Sequence, residues 1–317
     1  MLARNEPGVI MNSVIFPSCQ IGGYQVTALS DGTMEATLDL LSGIPVAEAE
    51  SIQHRAGIES VGSIHINCYL ICGYGRTILV DTGTGGQNNT GGQLVQKLEM
   101  LGIQADDIDT ILLTHGHPDH IGGLLDENGK PVYQKAELHV HPLEIAHWQD
   151  SQKQKAANER GQRNFILVRN VLDAYAGKIR LIGDGEITQG IRPEWTPGHT
   201  PGHTGFRIHS NDQCLLIWGD IVHFPHIQSA HPGVSIMFDV NPAQTVETRK
   251  KALQQAVDEK LIIAGMHLDP SGFACIGLSE TGFIISPISA GMRDKNRAGL
   301  YPSASTLMKL SPPAKKN

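Results

Sequence analysis

Residues with metal-binding chemistry crowd into one short stretch. Thr114-His115-Gly116-His117-Pro118-Asp119-His120-Ile121-Gly122-Gly123 sets three imidazoles and a carboxylate within six residues, directly behind the apolar run Ile111-Leu112-Leu113. Imidazole nitrogen and carboxylate oxygen are ligands for zinc and similar divalent ions. A chance histidine-rich tract would need neither the aspartate, nor a strand in front, nor the Gly-Gly pair behind. Three later stretches also set a ligand-type side chain just past an apolar run. They are Trp195-Thr196-Pro197-Gly198-His199-Thr200-Pro201-Gly202-His203-Thr204-Gly205, Leu215-Leu216-Ile217-Trp218-Gly219-Asp220 and Ile262-Ile263-Ala264-Gly265-Met266-His267. With four ligands from the first cluster, two more imidazoles and a carboxylate make about the number a two-metal centre needs, the carboxylate bridging ions roughly 3.5–4 Å apart.

The elements that must position these residues follow from periodicity. Residues 24–30 are β-rich and stop at Asp31-Gly32, a turn signal; residues 64–71, 77–80, 109–113 and 136–140 read as further strands. Residues 92–101 have helical period, with Leu94, Leu98 and Leu101 on one face. Residues 142–148 open a helix, 149–163 read as a solvated helix face beside the site, and 164–176 as another helix. Strands are expected at 178–182, 191–195, 206–209 and 214–218, a long amphipathic helix at 243–259, a strand at 261–264 and two short strands within 272–285. The ligand-type residues thus sit at C-terminal ends of strands, where open α/β architectures place binding sites. No linker interrupts the pattern. The expected layout is an N-terminal arm (1–20), one domain (21–301) built of two sheets face to face with helices outside, and a poorly ordered tail (302–317).

Composition removes several classes of function. The net charge of -7 leaves no basic patch to argue for nucleic acid. No run of 18 apolar residues predicts a membrane span, and the first nineteen residues make a poor signal peptide, so a cytoplasmic protein is expected. The five scattered cysteines read as free thiols of a reducing compartment. No Gly-x-Ser-x-Gly nucleophile elbow is present, which points to water as nucleophile and no covalent enzyme intermediate.

In Asp81-Thr82-Gly83, the cluster at 115–120, the Thr-Pro-Gly-His-Thr-Pro-Gly-His run, Gly219-Asp220 and the late His267, the chain resembles the metallo-β-lactamase-fold hydrolase superfamily over residues 64–270. The resemblance implies an α/β fold, an αββα sandwich of two packed mixed sheets with helices on the outer faces and the metals at one edge. It also implies a ligand set of two divalent ions, expected to be Zn2+. One would be held by His115, His117 and His203, the other by Asp119, His120 and His267, with Asp220 bridging. His203 rather than His199 matches the family position, which leaves His199 a structural role. Asp81 would orient a ligand histidine through a hydrogen bond; His139 and His141 are not needed as ligands.

The segment Trp218-Gly219-Asp220-Ile221-Val222-His223-Phe224-Pro225-His226-Ile227-Gln228 is similar to methyl parathion hydrolase-like proteins and related quorum-quenching lactonases. So are Val234-Ser235-Ile236-Met237-Phe238-Asp239, Arg249-Lys250-Lys251-Ala252 and Ala28-Leu29-Ser30-Asp31-Gly32. Acyl-homoserine lactonases of the superfamily usually carry a tyrosine three residues after the bridging aspartate; here His223 stands there, expected to donate a hydrogen bond to a lactone carbonyl. Asp119 would hold the nucleophile or accept a proton. The resemblance therefore implies a dinuclear metallo-hydrolase that opens lactones or cleaves aryl and carboxylic esters, with phosphotriesters as a side activity. Its alternatives are an N-acyl-homoserine lactonase, a thioester hydrolase of the glyoxalase II type and a mononuclear iron persulfide dioxygenase. The expected partner is a small-molecule ester or lactone in an apolar pocket near Trp148, Phe224 and Met237, with no nucleic acid and no membrane; a homodimer is expected from the resemblance.

Overall fold

Two mixed β-sheets form the centre of the molecule. The structure, a computed structural model, describes residues 16–280 and 282–288. Most of the expected arm, residues 289–301 of the expected domain and the expected tail lie outside the described residues. The strands run β1 (Ser18–Ile21), β2 (Tyr24–Glu35), the short β3 (Leu41–Ser42), β4 (Ser63–Gly73), β5 (Arg76–Val80), β6 (Thr110–Leu112), β7 (Glu137–Val140) and β8 (Ile179–Leu181). They continue with β9 (Ile191–Trp195), β10 (Thr204–Ser210), β11 (Gln213–Ile217), β12 (Ser235–Ile236), β13 (Ile262–Ala264), β14 (Phe273–Leu278) and β15 (Phe283–Pro287). The first sheet has the order β1-β2-β4-β5-β6-β7-β8 and the second β15-β14-β13-β11-β10-β9, while β12 pairs with β3. Pairing is antiparallel from β1 to β5 and parallel from β5 to β8. In the second sheet only β11 and β13 are parallel.

The helices are α1 (Val46–Arg55), α2 (Leu94–Met100), α3 (Pro118–Ile121), α4 (Pro142–Gln149), α5 (Ser151–Ala156), α6 (Glu159–Ala174), α7 (Pro225–Ala230) and α8 (Pro242–Asp258). Alternation along the strands assigns the layers, because successive side chains point to opposite faces. Tyr69, Ile71, Ile78 and Val80 join Phe206, Ile208, Leu215 and Ile217 in a core between the sheets. Their neighbours Leu70 and Leu79 turn outward and pack with Leu94, Leu98, Phe165 and Leu172 of the helices. On the far side Leu216 and Ile263 meet Ala252, Leu253 and Ala256 of α8. The result is the expected αββα sandwich. Full burial of one such leucine contributes on the order of 2 kcal/mol, so the layers are set by many like contributions.

Two local features differ from expectation, and a third agrees with it. The Asp31-Gly32 turn is a bulge inside the long β2, with the register shifting between Ser30 and Gly32; a bulge costs one unpaired residue and re-aims a side chain. Asp31 is thereby turned inward, where its carboxylate accepts from the N–H groups of Thr84, Gly92 and Leu94. The sheet begins within the stretch read as an arm, since β1 pairs with β2. The polar stretch 149–163 folds as α5 and the start of α6, capped by Asp150 and Asn158. None of the five cysteines is in a disulfide among the described residues.

Candidate metal centre

Four strand ends deliver the site. Asp81 follows β5, His115 follows β6, Asp220 follows β11 and His267 follows β13, so both sheets contribute at one edge. Asp81 has φ of +57°, a left-handed conformation uncommon outside glycine. That backbone aims its buried carboxylate at the cluster. Thr114 donates to it from its backbone N–H (2.8 Å) and its hydroxyl (2.6 Å), and His120 Nδ1 lies 2.7 Å from Oδ2. The carboxylate fixes the His120 ring with Nε2 pointing inward, the orienting role expected of Asp81.

Two groups of ligand-type atoms converge. In the first, His115 Nε2 lies 3.0 Å from His117 Nδ1, which lies 2.9 Å from His199 Nε2. In the second, His120 Nε2 lies 3.4 Å from Asp119 Oδ2 and 3.3 Å from Asp220 Oδ2, and His267 Nε2 lies 3.1 Å from Asp220 Oδ2. Asp220 Oδ2 also stands 3.6 Å from His115 Nε2 and 3.4 Å from His199 Nε2. One carboxylate oxygen is thus common to both groups. The outer nitrogens are occupied: His267 Nδ1 donates to the His65 carbonyl (2.7 Å), and His199 Nδ1 lies 2.8 Å from Asp239 Oδ1.

The expected ligand His203 is not brought into either group. Its Nδ1 donates to the Thr196 carbonyl at 3.0 Å, and its Nε2 accepts from the backbone N–H of Asp220 at 2.9 Å. Both ring nitrogens are therefore spent on backbone. A Cβ on Gly219 would come within 2.4 Å of Nε2, so the chain itself closes over this ring. His199, expected to be structural, lies beside His115 and His117. The two histidines of the repeated Thr-Pro-Gly-His unit are alike in type and local sequence; their partners Asp220 and Asp239 separate them only in space.

Electrostatics divide the cluster. Burial, reinforced by neighbouring imidazoles, pushes His115 and His117 well below the usual histidine range, so both are neutral, the form that coordinates metal. Burial would lower His120 too, but Asp220, Asp119 and Asp81 outweigh it and hold it well above that range. The second group therefore attracts positive charge. Buried His120 Nε2 and Asp220 Oδ1 have no hydrogen-bond partner among the described residues, an arrangement costly for buried polar atoms unless something else satisfies them. The donor set of imidazoles and carboxylates, the shared oxygen and these two orphaned atoms together fit divalent metal ions.

His223 is buried against the cluster, its Nε2 3.1 Å from Asp220 Oδ2 and its ring stacked on His267 at 4.9 Å. Burial pushes its pKa down to about 4, so the ring is neutral. A proton on Nε2, facing the carboxylate, leaves Nδ1 without one. His139 and His141 stand apart: His139 faces Glu137, and His141 accepts from Leu143 N–H as the cap of α4.

Two cavities meet at His223. The smaller, about 270 Å³, reaches Asp119 and Asp220 and is walled by Trp148, Phe165, Met237 and Phe238. The larger, about 420 Å³, runs from His267 past Phe224, Ile64 and Gln53. Of the three apolar residues expected near the site, Trp148 and Met237 line the first and Phe224 the second. Arg160 also lines the smaller cavity, and its guanidinium carbon lies 4.3 Å from the Phe238 ring centre.

A family model described as the Metallo-beta-lactamase superfamily matches residues 61–267. The chain belongs to the metallo-β-lactamase superfamily. Among solved members, the hydrolase AbOPH is 28% identical and superposes with a TM-score of 0.80, covering 88% of this chain and 98% of that one. AidC, described as a dizinc quorum-quenching lactonase and solved with a product N-hexanoyl-L-homoserine, is 29% identical with a TM-score of 0.81, covering 86% and 97%. The "Probable metallo-hydrolase YflN" of Bacillus subtilis (strain 168) is 26% identical over 200 residues, 56% of this chain and 71% of its own length. The superfamily's fold accounts for the edge position of the cluster. Three carboxylates were outside the sequence reading of the site: Asp31, Asp239 and Glu144. Asp239 lay within a segment already read as lactonase-like, and Glu144 stands four residues before Trp148 on a helical period.

Proposed function

We propose that the chain is a dinuclear metallo-hydrolase of lactones and carboxylic or aryl esters. His115, His117 and His199 would hold one ion, Asp119, His120 and His267 the other, with Asp220 shared. The observation that carries this reading is the convergence of both groups on Asp220 Oδ2. Zinc is the proposed metal, supported by the donor set and by the likeness to a dizinc lactonase. Such ions supply Lewis acidity and a hydroxide near neutral pH.

The chain's own residues do the rest. Asp119 is the most open carboxylate of the cluster, 13% exposed against 2% for Asp220, and stands at the floor of the smaller cavity, where it can accept a proton. Trp148, Phe165, Met237 and Phe238 give that cavity an apolar wall for the acyl or aryl part and exclude water. Neutral His223 holds Asp220 in position through Nε2. Turnover of a panel of lactones, aryl esters, thioesters and phosphotriesters by the zinc-loaded protein tests the reading. Hydrolysis of lactones and aryl esters above the other classes is expected; activity confined to thioesters would overturn it.

A further inference from the structure

Glu144 is a buried carboxylate that neither the metal ligands nor the cavity wall account for. It is 2% exposed and lies in the first turn of α4. Four donors surround it. Oε1 accepts from the Gly116 N–H at 2.8 Å and the Trp148 indole N–H at 2.6 Å, and Oε2 from the Thr200 hydroxyl at 2.6 Å and the Gly202 N–H at 3.1 Å. Gly116 lies between His115 and His117, while Thr200 directly follows His199. These loops are more than eighty residues apart in sequence, and one carboxylate grips both.

The loops also press on α4 itself. A Cβ on Gly116 would stand 2.4 Å from Trp148 Nε1, and one on Gly202 would stand 2.3 Å from the Glu144 nitrogen. Trp148 in turn packs edge-on against His117, with ring centres 5.7 Å apart. All four contacts to Glu144 are donors, so an ionised carboxylate satisfies each of them, and charge-assisted bonds of this kind are about twice as strong as neutral ones. Glutamine is nearly isosteric but turns an NH2 toward two donors whichever way its amide faces.

We infer that Glu144 is a positioning residue: it clamps the 115–117 and 199–202 loops together and so sets the spacing of His115, His117 and His199. This rests on the reading that those three histidines hold one metal ion. Aspartate is too short to reach both loops, and alanine leaves four buried donors unpaired.

The test is metal competition against a chromogenic chelator, with cobalt(II) absorption as a second readout, on the wild-type protein, Glu144→Gln and Thr200→Val. Wild type is expected to bind two ions. Glu144→Gln should weaken one of them ~10–100-fold, the range for groups that orient a ligand, alter its cobalt spectrum and leave the other within twofold; Thr200→Val, which removes one of the four donors, should fall between. If Glu144→Gln does not fold, Thr200→Val alone carries the comparison. Both ions held within twofold of wild type in the variants, or both weakened equally, would overturn the clamp while leaving the metal assignment intact. A wild-type protein that binds no ions would overturn the clamp along with the assignment on which it rests.

Discussion

Asp239 Oδ1 lies 2.8 Å from His199 Nδ1, and the two side chains are almost wholly buried. The contact turns His199 Nε2 inward, toward His117. Burial would raise the Asp239 carboxyl, but the hydrogen bond and charge of His199 hold it down to about 2. Replacement Asp239→Asn keeps the shape and removes the charge. Affinity for one of two zinc ions is expected to fall about 10-fold, read by chelator competition; unchanged affinity would mean that the contact only fills space.

The two histidines of the repeated unit should separate cleanly. His199→Ala is expected to lose one ion and more than ~100-fold in kcat/KM, beyond what loss of an orienting group costs. His203→Ala should keep both ions but leave the Asp220 N–H and the Thr196 carbonyl without partners. Each costs about 1–3 kcal/mol when buried, which a urea titration would detect. The reverse pattern, an ion lost from His203→Ala and two kept by His199→Ala, contradicts the geometry.

Acid should loosen the wall of the smaller cavity through His147. This imidazole packs against both Trp148 and Phe165, and burial, aided by Lys153 and opposed by Asp150, pushes its pKa down from 6.5 to about 4. Between those values the unfolded chain binds more protons than the folded one, so stability falls as pH drops from about 6.5 to about 4 and then levels off. After allowance for solvent screening the loss is about 1–2 kcal/mol. Metal-free His147→Phe should show a flatter melting-temperature profile over that window; an unchanged slope would place the titration elsewhere.

Arg249 makes the next prediction. Its guanidinium is fully buried and donates to the carbonyls of Ile221 (2.6 Å), Pro232 (3.1 Å) and Val234 (2.7 Å). It therefore pins the chain just after Asp220 to the turn before β12. Arg249→Met should destabilise the fold by about 3 kcal/mol, since three carbonyls lose this donor and Val234 keeps only the weaker bond from Gln228. A change below ~1 kcal/mol in denaturant unfolding would show that the loops hold themselves.

What could be read from the sequence divides by distance along the chain. The cluster at 115–120 was legible because one strand end and one turn carry all of it. The sheet layers were legible because period-2 alternation is a local property. His199 was not, since its choice over His203 depends on Asp239, forty residues on, and on a backbone N–H at Asp220. Asp31-Gly32 carried a true local signal with two outcomes, turn or bulge, and sheet pairing on both sides selected the bulge. Helix α1 was missed because its face is largely exposed and only Ala49, Ile52 and Gln53 are buried, too few to mark a period. Glu144 gave only the weak sign of its i, i+4 spacing to Trp148, because its other three donors come from the distant 116 and 200–202 loops.

Met237, Phe238 and Val240 line the smaller cavity, and Asp239 between them steadies His199. Adaptation to new substrates is therefore constrained on this side: a mutation that reshapes the 237–240 segment also disturbs a histidine of the cluster. Among the described residues, Ala157, Gly161 and Asn164, which also line this cavity, make no hydrogen bond to the cluster. Variants selected for altered substrate range should accumulate their changes there, on α6 and the turn before it, where innovation is uncoupled from retention of the cluster.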